Sequence, residues 1–420
     1  LTDVVPSKSL IATADAAVAI SEASDLGVQF FVRGGDGRPS KPQVAINLAA
    51  VNKRLLALAR QQSEDMRAAL IEAGGRLIAR HGRLESRTAV VVSTGPGGTD
   101  FDRVEADTLV VSVGASPRGL PNALPDGERI LTWTQLYNMT AVPEHLIVVG
   151  SGVTGAEFAS AYMNLGAKVT LVSSRDQVLP GEDADGAAVL ERVFQRGGMT
   201  LLAKARADRV ERIGDGVRVT LSDGRTIEGS HCLMAVGSIP NTAGLGLEEA
   251  GVQLTESGHI RVNRVARTSV PNIYAAGDCT TFVPLASVAS MQGRMAVFHA
   301  MGDIVIPLDR TRISANIFTQ PEIAAVGWTE RDIEDGVIEG VVHKLPLVAN
   351  ARAKMMGIKD GFIKLIARHG SGTVIGGVIV APKASELIYP LAMAVERRLT
   401  VDQVARVFAV YPSLSAGITD

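Results

Sequence analysis

The apolar positions follow two periods. Val44, Leu48, Val51, Leu55 and Leu58 are spaced four, three, four and three apart, which predicts a helix over 42–73 with one buried stripe, and an earlier helix is expected after Ser7. Unbroken apolar runs of strand length follow. The runs 88–93 and 104–112 flank Gly95-Pro96-Gly97-Gly98, a hairpin signal, and 146–149 and 232–236 read as buried strands. Two of these runs end alike, in Val113-Gly114-Ala115-Ser116-Pro117 and Val236-Gly237-Ser238-Ile239-Pro240, as though one α/β unit occurred twice. Residues 262–301 read as strand, turn and helix, the helix starting at Ala286. Beyond Asp303, strands at 362–366 and 374–380 joined by His369-Gly370-Ser371-Gly372 precede further helices, the pattern of a separate α+β domain. No apolar run approaches the roughly 18 residues of a membrane span, so no stable membrane insertion is expected.

Composition narrows the classes. A chain of 420 residues holds about two to four domains, and its net charge of −2 offers no basic field for nucleic acid. Its two cysteines, Cys232 and Cys279, have neither disulfide-scaffold nor zinc spacing and fit a reducing compartment, so a cytoplasmic location is expected. The seven histidines show no metal-ligand spacing; no metal site is expected, and His145 and His231 read as polar residues flanking strands. Forty-three glycines with only 4% aromatics suit the tight turns of α/β nucleotide-binding folds. Arg33-Gly34-Gly35-Asp36-Gly37-Arg38 reads as a solvated loop.

The strongest chemical signal is Gly150-Ser151-Gly152-Val153-Thr154-Gly155. It follows the strand 146–149 directly and opens a helix over 156–165; Gly166 and a second strand, 169–172, come next. Dinucleotide binding needs that context: Gly150 for the tight turn, Gly152 for close approach to the pyrophosphate, Gly155 for helix–strand packing. At the end of the second strand, where a carboxylate holds the ribose of NADH, stands Ser173-Ser174-Arg175. The missing acid removes repulsion toward a 2′-phosphate, so NADPH is expected to be accepted; Arg175 reads equally as its partner and as a solvated surface charge. A second motif, 268–278, delivers Gly277-Asp278 at the end of an apolar strand, placing a carboxylate where it can accept from a sugar or ribityl hydroxyl.

Together Pro6-Ser7-Lys8, the segment 150–157, the 268–278 motif and Phe318-Thr319-Gln320-Pro321-Glu322-Ile323-Ala324-Ala325-Val326-Gly327 resemble the FAD-containing pyridine nucleotide-disulfide oxidoreductases, the lipoamide dehydrogenase and glutathione reductase group, in order along nearly the whole chain. The resemblance implies two Rossmann-like domains, for FAD and NAD(P)H, plus a C-terminal α+β dimerisation domain, and a homodimer. The expected boundaries are 1–142 and 264–302 for the two parts of the FAD domain, 143–263 for the NAD(P)H domain and 303–420 for the dimerisation domain. The family's first GxGxxG would precede Leu1 by some tens of residues, and a helix entered at Leu414 reads as cut off, so both ends are expected to be incomplete.

Two departures from that family pattern bear on function. The redox pair of the family, Cys-x4-Cys-x-Pro-Ser-Lys, places its second cysteine at Val4 and its first before Leu1. The proton-relay His and Glu of the C-terminus correspond to Tyr411, before Pro412, and to Ala416. A His–Glu base manages thiol protons, so the two losses belong together and argue against reduction of disulfide substrates. What the resemblance retains is the flavin half: Lys8 paired with Glu157 beside flavin N5, Val153 where glutathione reductase has a gating Tyr, Gly114, Gly237, Gly277 and Asp278 as cofactor-binding positions, and a helix after Leu285-Ala286 aimed at the flavin. Cys279 lies near FAD by this reading, as a packed residue rather than a nucleophile. A flavin reduced by NADPH or NADH without a dithiol must pass electrons directly to a small acceptor, and quinones fit. The Tyr411-to-Ser415 ending, Ser173 and the stretch 350–355 look most like the actinobacterial NAD(P)H quinone reductases of the group. The alternatives are a soluble pyridine nucleotide transhydrogenase and a non-catalytic FAD-binding dimer.

Overall fold

The computed structural model describes residues 3–31, 44–93 and 101–419. The loop 33–38 and the turn Gly95–Gly98 fall outside the described residues. The chain divides into two compact units, one of Leu1–Arg60, Gly119–Val236 and Thr311–Asp420, the other of Gln61–Arg118 and Gly237–Arg310.

The first unit is built around a five-stranded parallel sheet ordered Ile130–Leu131, His145–Val149 flanking His231–Met234, then Lys168–Val172 and Thr200–Leu202, with His231–Met234 between the first two. After a polar first residue its central strands are buried at every position, 146–149, 169–172 and 232–234, because both faces are covered. Leu146 and Val148 join the cluster that holds the helices Val153–Asn164 and Ala184–Arg196, while Ile147 and Val149 join the cluster under the antiparallel strands Ala207–Ile213, Gly216–Leu221 and Thr226–Gly229. Each side chain so buried contributes roughly 1.5–3 kcal/mol, and the period of two fixes the register.

In the same unit a second, antiparallel sheet runs Ser314–Ile317, Glu322–Gly327, Val374–Ala381, Phe362–Arg368, Gly340–Pro346. One face packs on the helix Ala384–Arg397, and the other shares the helix-side cluster of the parallel sheet through Ile323, Phe362 and Val380. Phe362–Ala367 is therefore buried at every position, Lys364 included.

The second unit holds an antiparallel sheet of Gly82–Ser86, Ala89–Ser93 and Phe101–Glu105, and a parallel pair of Leu109–Val111 with Ile273–Ala275 followed by the helix Ala286–Ala300. The two Val-Gly-x-x-Pro endings meet here. Ala115–Pro117 pairs antiparallel with Ser238–Pro240, each strand entered through a left-handed glycine, Gly114 at φ +65° and Gly237 at φ +98°.

Four sequence expectations change. The run 104–112 is two strands in different sheets, broken at 106–108. The helix expected over 42–73 spans Leu48–Glu72, because Asn47 caps it by accepting from the Ala50 N–H at 3.0 Å, and Gly74 at φ +84° closes it. Its buried positions are Leu48, Asn52, Leu55 and Ala59; Val44 lies outside it, and Leu58 is exposed, because Asn52 turns its face inward to donate to the Met139 carbonyl at 2.7 Å. The first helix starts at Val4 rather than after Ser7, with Pro6 in its first turn, where its missing N–H has no intrahelical partner to lose. Last, the segment Val4–Leu26 is long and apolar enough to cross a membrane by length and composition, contrary to the expectation that no run is. Pro6, Ser7, Leu10, Ile11, Ala14 and Ala17 of this helix are buried against the rest of the first unit.

Candidate functional site

The strand His145–Val149 runs into the glycine turn without a break. Gly150 has φ +111°, and a Cβ there would stand 2.2 Å from the Ala235 carbonyl oxygen; one on Gly155 would stand 1.8 Å from the Gly150 oxygen. The protein's own backbone demands these two glycines. Gly152 is different: a Cβ on it would meet nothing within 4 Å, and it is the N-cap of the helix Val153–Asn164, with no side chain capping the helix and no acid in its first turn. The leading N–H groups thus have no side-chain acceptor and open onto free space, which fits the pyrophosphate of a dinucleotide. Val153 opens the helix and is 41% exposed.

At the end of the neighbouring strand Ser173 is buried, and its hydroxyl is engaged inside the fold. It pairs with the Ser151 hydroxyl at 2.7 Å, accepts from the Arg175 N–H at 3.1 Å and lies 3.1 Å from the Arg175 carbonyl. This ties the glycine turn to the loop after the second strand. The side chain of Arg175 is exposed, and its carbonyl accepts from the Lys204 N–H at 2.8 Å.

Lys8 and Glu157, 149 positions apart, meet. Lys8 Nζ donates to Glu157 Oε2 at 2.6 Å; the carboxylate is buried and the ammonium side chain is 31% exposed. The other oxygen, Oε1, accepts from the Phe318 N–H at 2.9 Å, and the Phe318 ring lies under the ammonium, its centroid 4.7 Å from Nζ. Phe318 was visible in the sequence as part of a motif; its contacts with this pair had no sequence signal. Val4, at the head of the same helix as Lys8, is exposed, and so is Tyr411, whereas Ala416 is buried.

In the second unit the carboxyl ends of the parallel pair carry Gly114 and Gly277-Asp278. Gly277 has φ +82° and donates its N–H to Gln292 Oε1 at 2.8 Å; Asp278 is partly buried and engaged. Leu285 is the N-cap of the helix Ala286–Ala300, again with no side-chain cap and no acid in the first turn. These are the features that suit an anionic cofactor. Cys279 is fully buried with its thiol 3.4 Å from the Ala276 carbonyl, and burial raises its pKa; Cys232 is buried likewise. Neither is poised as a nucleophile. His145 contacts Thr170 Oγ1 at 2.8 Å, and His231 lies 3.1 Å from Arg129, its pKa pushed down to about 4 by burial and then by that charge. Among the described residues no three His, Cys, Asp or Glu side chains gather as a metal site.

Comparison with known proteins gives a consistent picture. The family described as pyridine nucleotide-disulphide oxidoreductase matches residues 3–293, and its dimerisation domain matches 313–420. A Mycobacterium tuberculosis protein named NAD(P)H dehydrogenase (quinone) is 50% identical over 425 residues, covering 100% of this chain and 84% of its own. The dihydrolipoyl dehydrogenase of Geobacillus stearothermophilus is 36% identical over 308 residues, 73% of this chain and 65% of that one. Among solved structures, LpdA from M. tuberculosis superimposes with a TM-score of 0.91 at 50% identity, over 100% of this chain and 89% of that one. The HOCl-induced flavoprotein disulfide reductase RclA from Escherichia coli, 21% identical, shares the fold with a TM-score of 0.84 over 99% of this chain and 88% of that one.

Proposed function

Because this chain belongs to the pyridine nucleotide-disulphide oxidoreductase family, we propose that it is an FAD-dependent NAD(P)H:quinone oxidoreductase that passes electrons to a quinone without a redox disulfide. One observation carries the reading: Lys8, in the helix whose head bears Val4 where the family's dithiol has a cysteine, keeps its ion pair with Glu157 of the helix Val153–Asn164. The machinery for the flavin is kept, and that for thiols is not.

Bound FAD supplies the two-electron carrier between nicotinamide and quinone. The chain's own groups do the placing. Gly150, Gly152 and Gly155 shape the turn that takes the nucleotide pyrophosphate, and Val153, in the place of a gating Tyr, leaves the nicotinamide pocket less obstructed. The loop after the second strand begins with Ser173 rather than an acid and presents Arg175 beside Asp176, so a 2′-phosphate is accepted and both NADPH and NADH are substrates. Gly114, Gly237, Gly277, Asp278 and the uncapped helix at Leu285-Ala286 are assigned to FAD. Lys8 holds a fixed positive charge for the flavin as it gains negative charge; Glu157, anchored through both oxygens, keeps that charge from having to reorganise during transfer. We assign the domain boundaries as 1–142 with 264–302, 143–263 and 303–420, and the assembly as a homodimer through the last of these. A cytoplasmic location fits two buried, unpaired cysteines.

The test is an anaerobic titration of the FAD-loaded protein with NADPH and with NADH, followed by menadione. The reading expects full bleaching of the flavin, no thiolate charge-transfer band and rapid recovery of absorbance with the quinone. Recovery with an oxidised nucleotide analogue but not with menadione would replace quinone reduction by transhydrogenation, and a flavin that never bleaches would leave a non-catalytic dimer.

A further inference from the structure

The Lys8–Glu157 pair does not stand alone. Glu157, Ser160 and Asn164 lie on one face of the helix Val153–Asn164, at the i, i+3, i+7 spacing of neighbouring turns. Each reaches the same bend, 318–320, between the strands Ser314–Ile317 and Glu322–Gly327. Phe318 N–H donates to Glu157 Oε1 at 2.9 Å, Gln320 N–H to Ser160 Oγ at 3.2 Å, and Asn164 Nδ2 to Gln320 Oε1 at 3.0 Å. Between them Thr319 is buried, its hydroxyl donating to the Pro321 carbonyl at 2.7 Å. The ladder fixes the backbone of Phe318, and with it the start of its side chain. That side chain ends with its ring centroid 4.7 Å from Lys8 Nζ. The ammonium therefore meets both Glu157 Oε2, at 2.6 Å, and the ring face, and the Lys8 side chain as a whole stays 31% exposed.

We propose that Phe318 is a positioning residue for the flavin-directed charge: its backbone N–H orients the Glu157 carboxylate, and its ring confines the Lys8 ammonium by a cation–π contact. A lysine on four rotatable bonds samples many positions when only one carboxylate holds it. A ring face as a second contact removes many of them and, being uncharged, adds no second negative charge beside the ammonium. The side chain that matters thus comes from the C-terminal segment, far along the chain from both members of the pair. This inference rests on the reading of Lys8–Glu157 as serving the flavin.

The experiment uses the FAD-loaded protein with Phe318→Leu, Phe318→Met, Phe318→Trp and Lys8→Met. It measures the flavin midpoint potential, the anaerobic rate of flavin reduction at saturating NADPH, the Kd of NADPH and the melting temperature. Phe318→Leu and Phe318→Met keep the backbone donor and the apolar packing and lose only the ring face. They are expected to slow flavin reduction roughly tenfold, to move the potential to more negative values and to leave the Kd unchanged. Phe318→Trp restores both rate and potential; Lys8→Met is slower still. If Lys8→Met slows reduction while both aliphatic variants match the wild type, the role of Phe318 is overturned and the role of the pair stands. If Phe318→Trp is as slow as Phe318→Leu, the ring only fills space, which also overturns it. If Lys8→Met itself changes neither rate nor potential, the reading of the pair falls and this inference with it. None of these readouts involves quinone.

Discussion

Two lysines of the first unit each meet a buried carboxylate and an aromatic ring, Phe362 at 5.5 Å for Lys364 and Phe318 for Lys8, and they differ in how completely they are enclosed. Lys364 is 1% exposed and contacts three acids: Asp183 at 2.7 Å, Asp185 at 2.9 Å, and Glu330. Asp183 in turn caps the helix Ala184–Arg196, accepting from the Gly186 N–H at 2.9 Å. Lys8 has one carboxylate and one aromatic face. A buried ammonium whose every direction is filled has nothing left to offer a ligand; its work is to join elements. The Lys8 side chain, 31% exposed, is the one that the proposed function makes available to the flavin. On the proposed reading of Lys8, the completeness of partnering separates a structural ion cluster from one that serves the flavin, although both are lysine–carboxylate contacts.

The largest effect that tests this contrast is on stability. Lys364→Met removes the cation common to three acids. Asp185 and Glu330 are exposed enough to turn toward water, but Asp183, at 5%, is left charged and buried. The expected loss is about 3 kcal/mol, read as a lower melting temperature and denaturation midpoint, with the rate of flavin reduction per folded molecule unchanged. A variant that melted normally but reduced its flavin slowly would erase the distinction between the two lysines.

How much of this was legible beforehand depends on what kind of signal each part leaves. The glycine turn was readable residue by residue, because a left-handed Gly150 and a Gly155 without room for a Cβ are requirements that only glycine meets. Pairing of Lys8 with Glu157 came only from resemblance, since nothing local links residues so far apart. The Lys364 cluster left one unread trace, a lysine inside an apolar strand, and the strand's partners on both faces decide whether such a residue is buried. Two boundaries were misplaced for a local reason: Asn47 starts its helix and the break at 106–108 divides a run of apolar character, both set by a few polar atoms rather than by periodicity. The buried contacts of Ser173 were hidden in the same way; the sequence marked the position but not where its hydroxyl turns.

A middle-sized effect concerns pH. Burial acts to raise the pKa of Asp185, but hydrogen bonds from Lys344, at 2.8 Å, and Lys364 outweigh it and hold the carboxyl below the usual aspartate range. Its stabilisation is therefore fully present above the unfolded value, about 3.9, and is lost as pH falls through the lower folded value. Asp185→Asn is expected to cost about 0.5–1 kcal/mol at pH 7, a figure kept small because the side chain is 42% exposed, and the gap to wild type should close in acid. Urea unfolding at pH 7 and pH 3 checks it; a gap that persisted unchanged at pH 3 would mean that the two lysines do not hold this carboxylate.

The smallest effect has the opposite sign. Asp15, seven residues along the first helix from Lys8, is partly buried, and burial raises its pKa; Lys383 works against that rise and Glu322 adds to it. A carboxyl whose folded value lies above its unfolded one destabilises the fold when ionised, so stability is lost as pH rises through the interval between the two values. Asp15→Asn keeps the shape and removes the charge. It is expected to raise stability at pH 7 by a few tenths of a kcal/mol after solvent screening, and to have no effect once pH falls below the unfolded value. Because Asp185→Asn and Asp15→Asn change the same group in the same protein, their opposite signs at pH 7 isolate the lysine partners as the cause. Stabilisation by both substitutions would show that burial outweighs the lysine partners at both carboxyls, and that the filled shell around Lys364 contributes less than its distances imply.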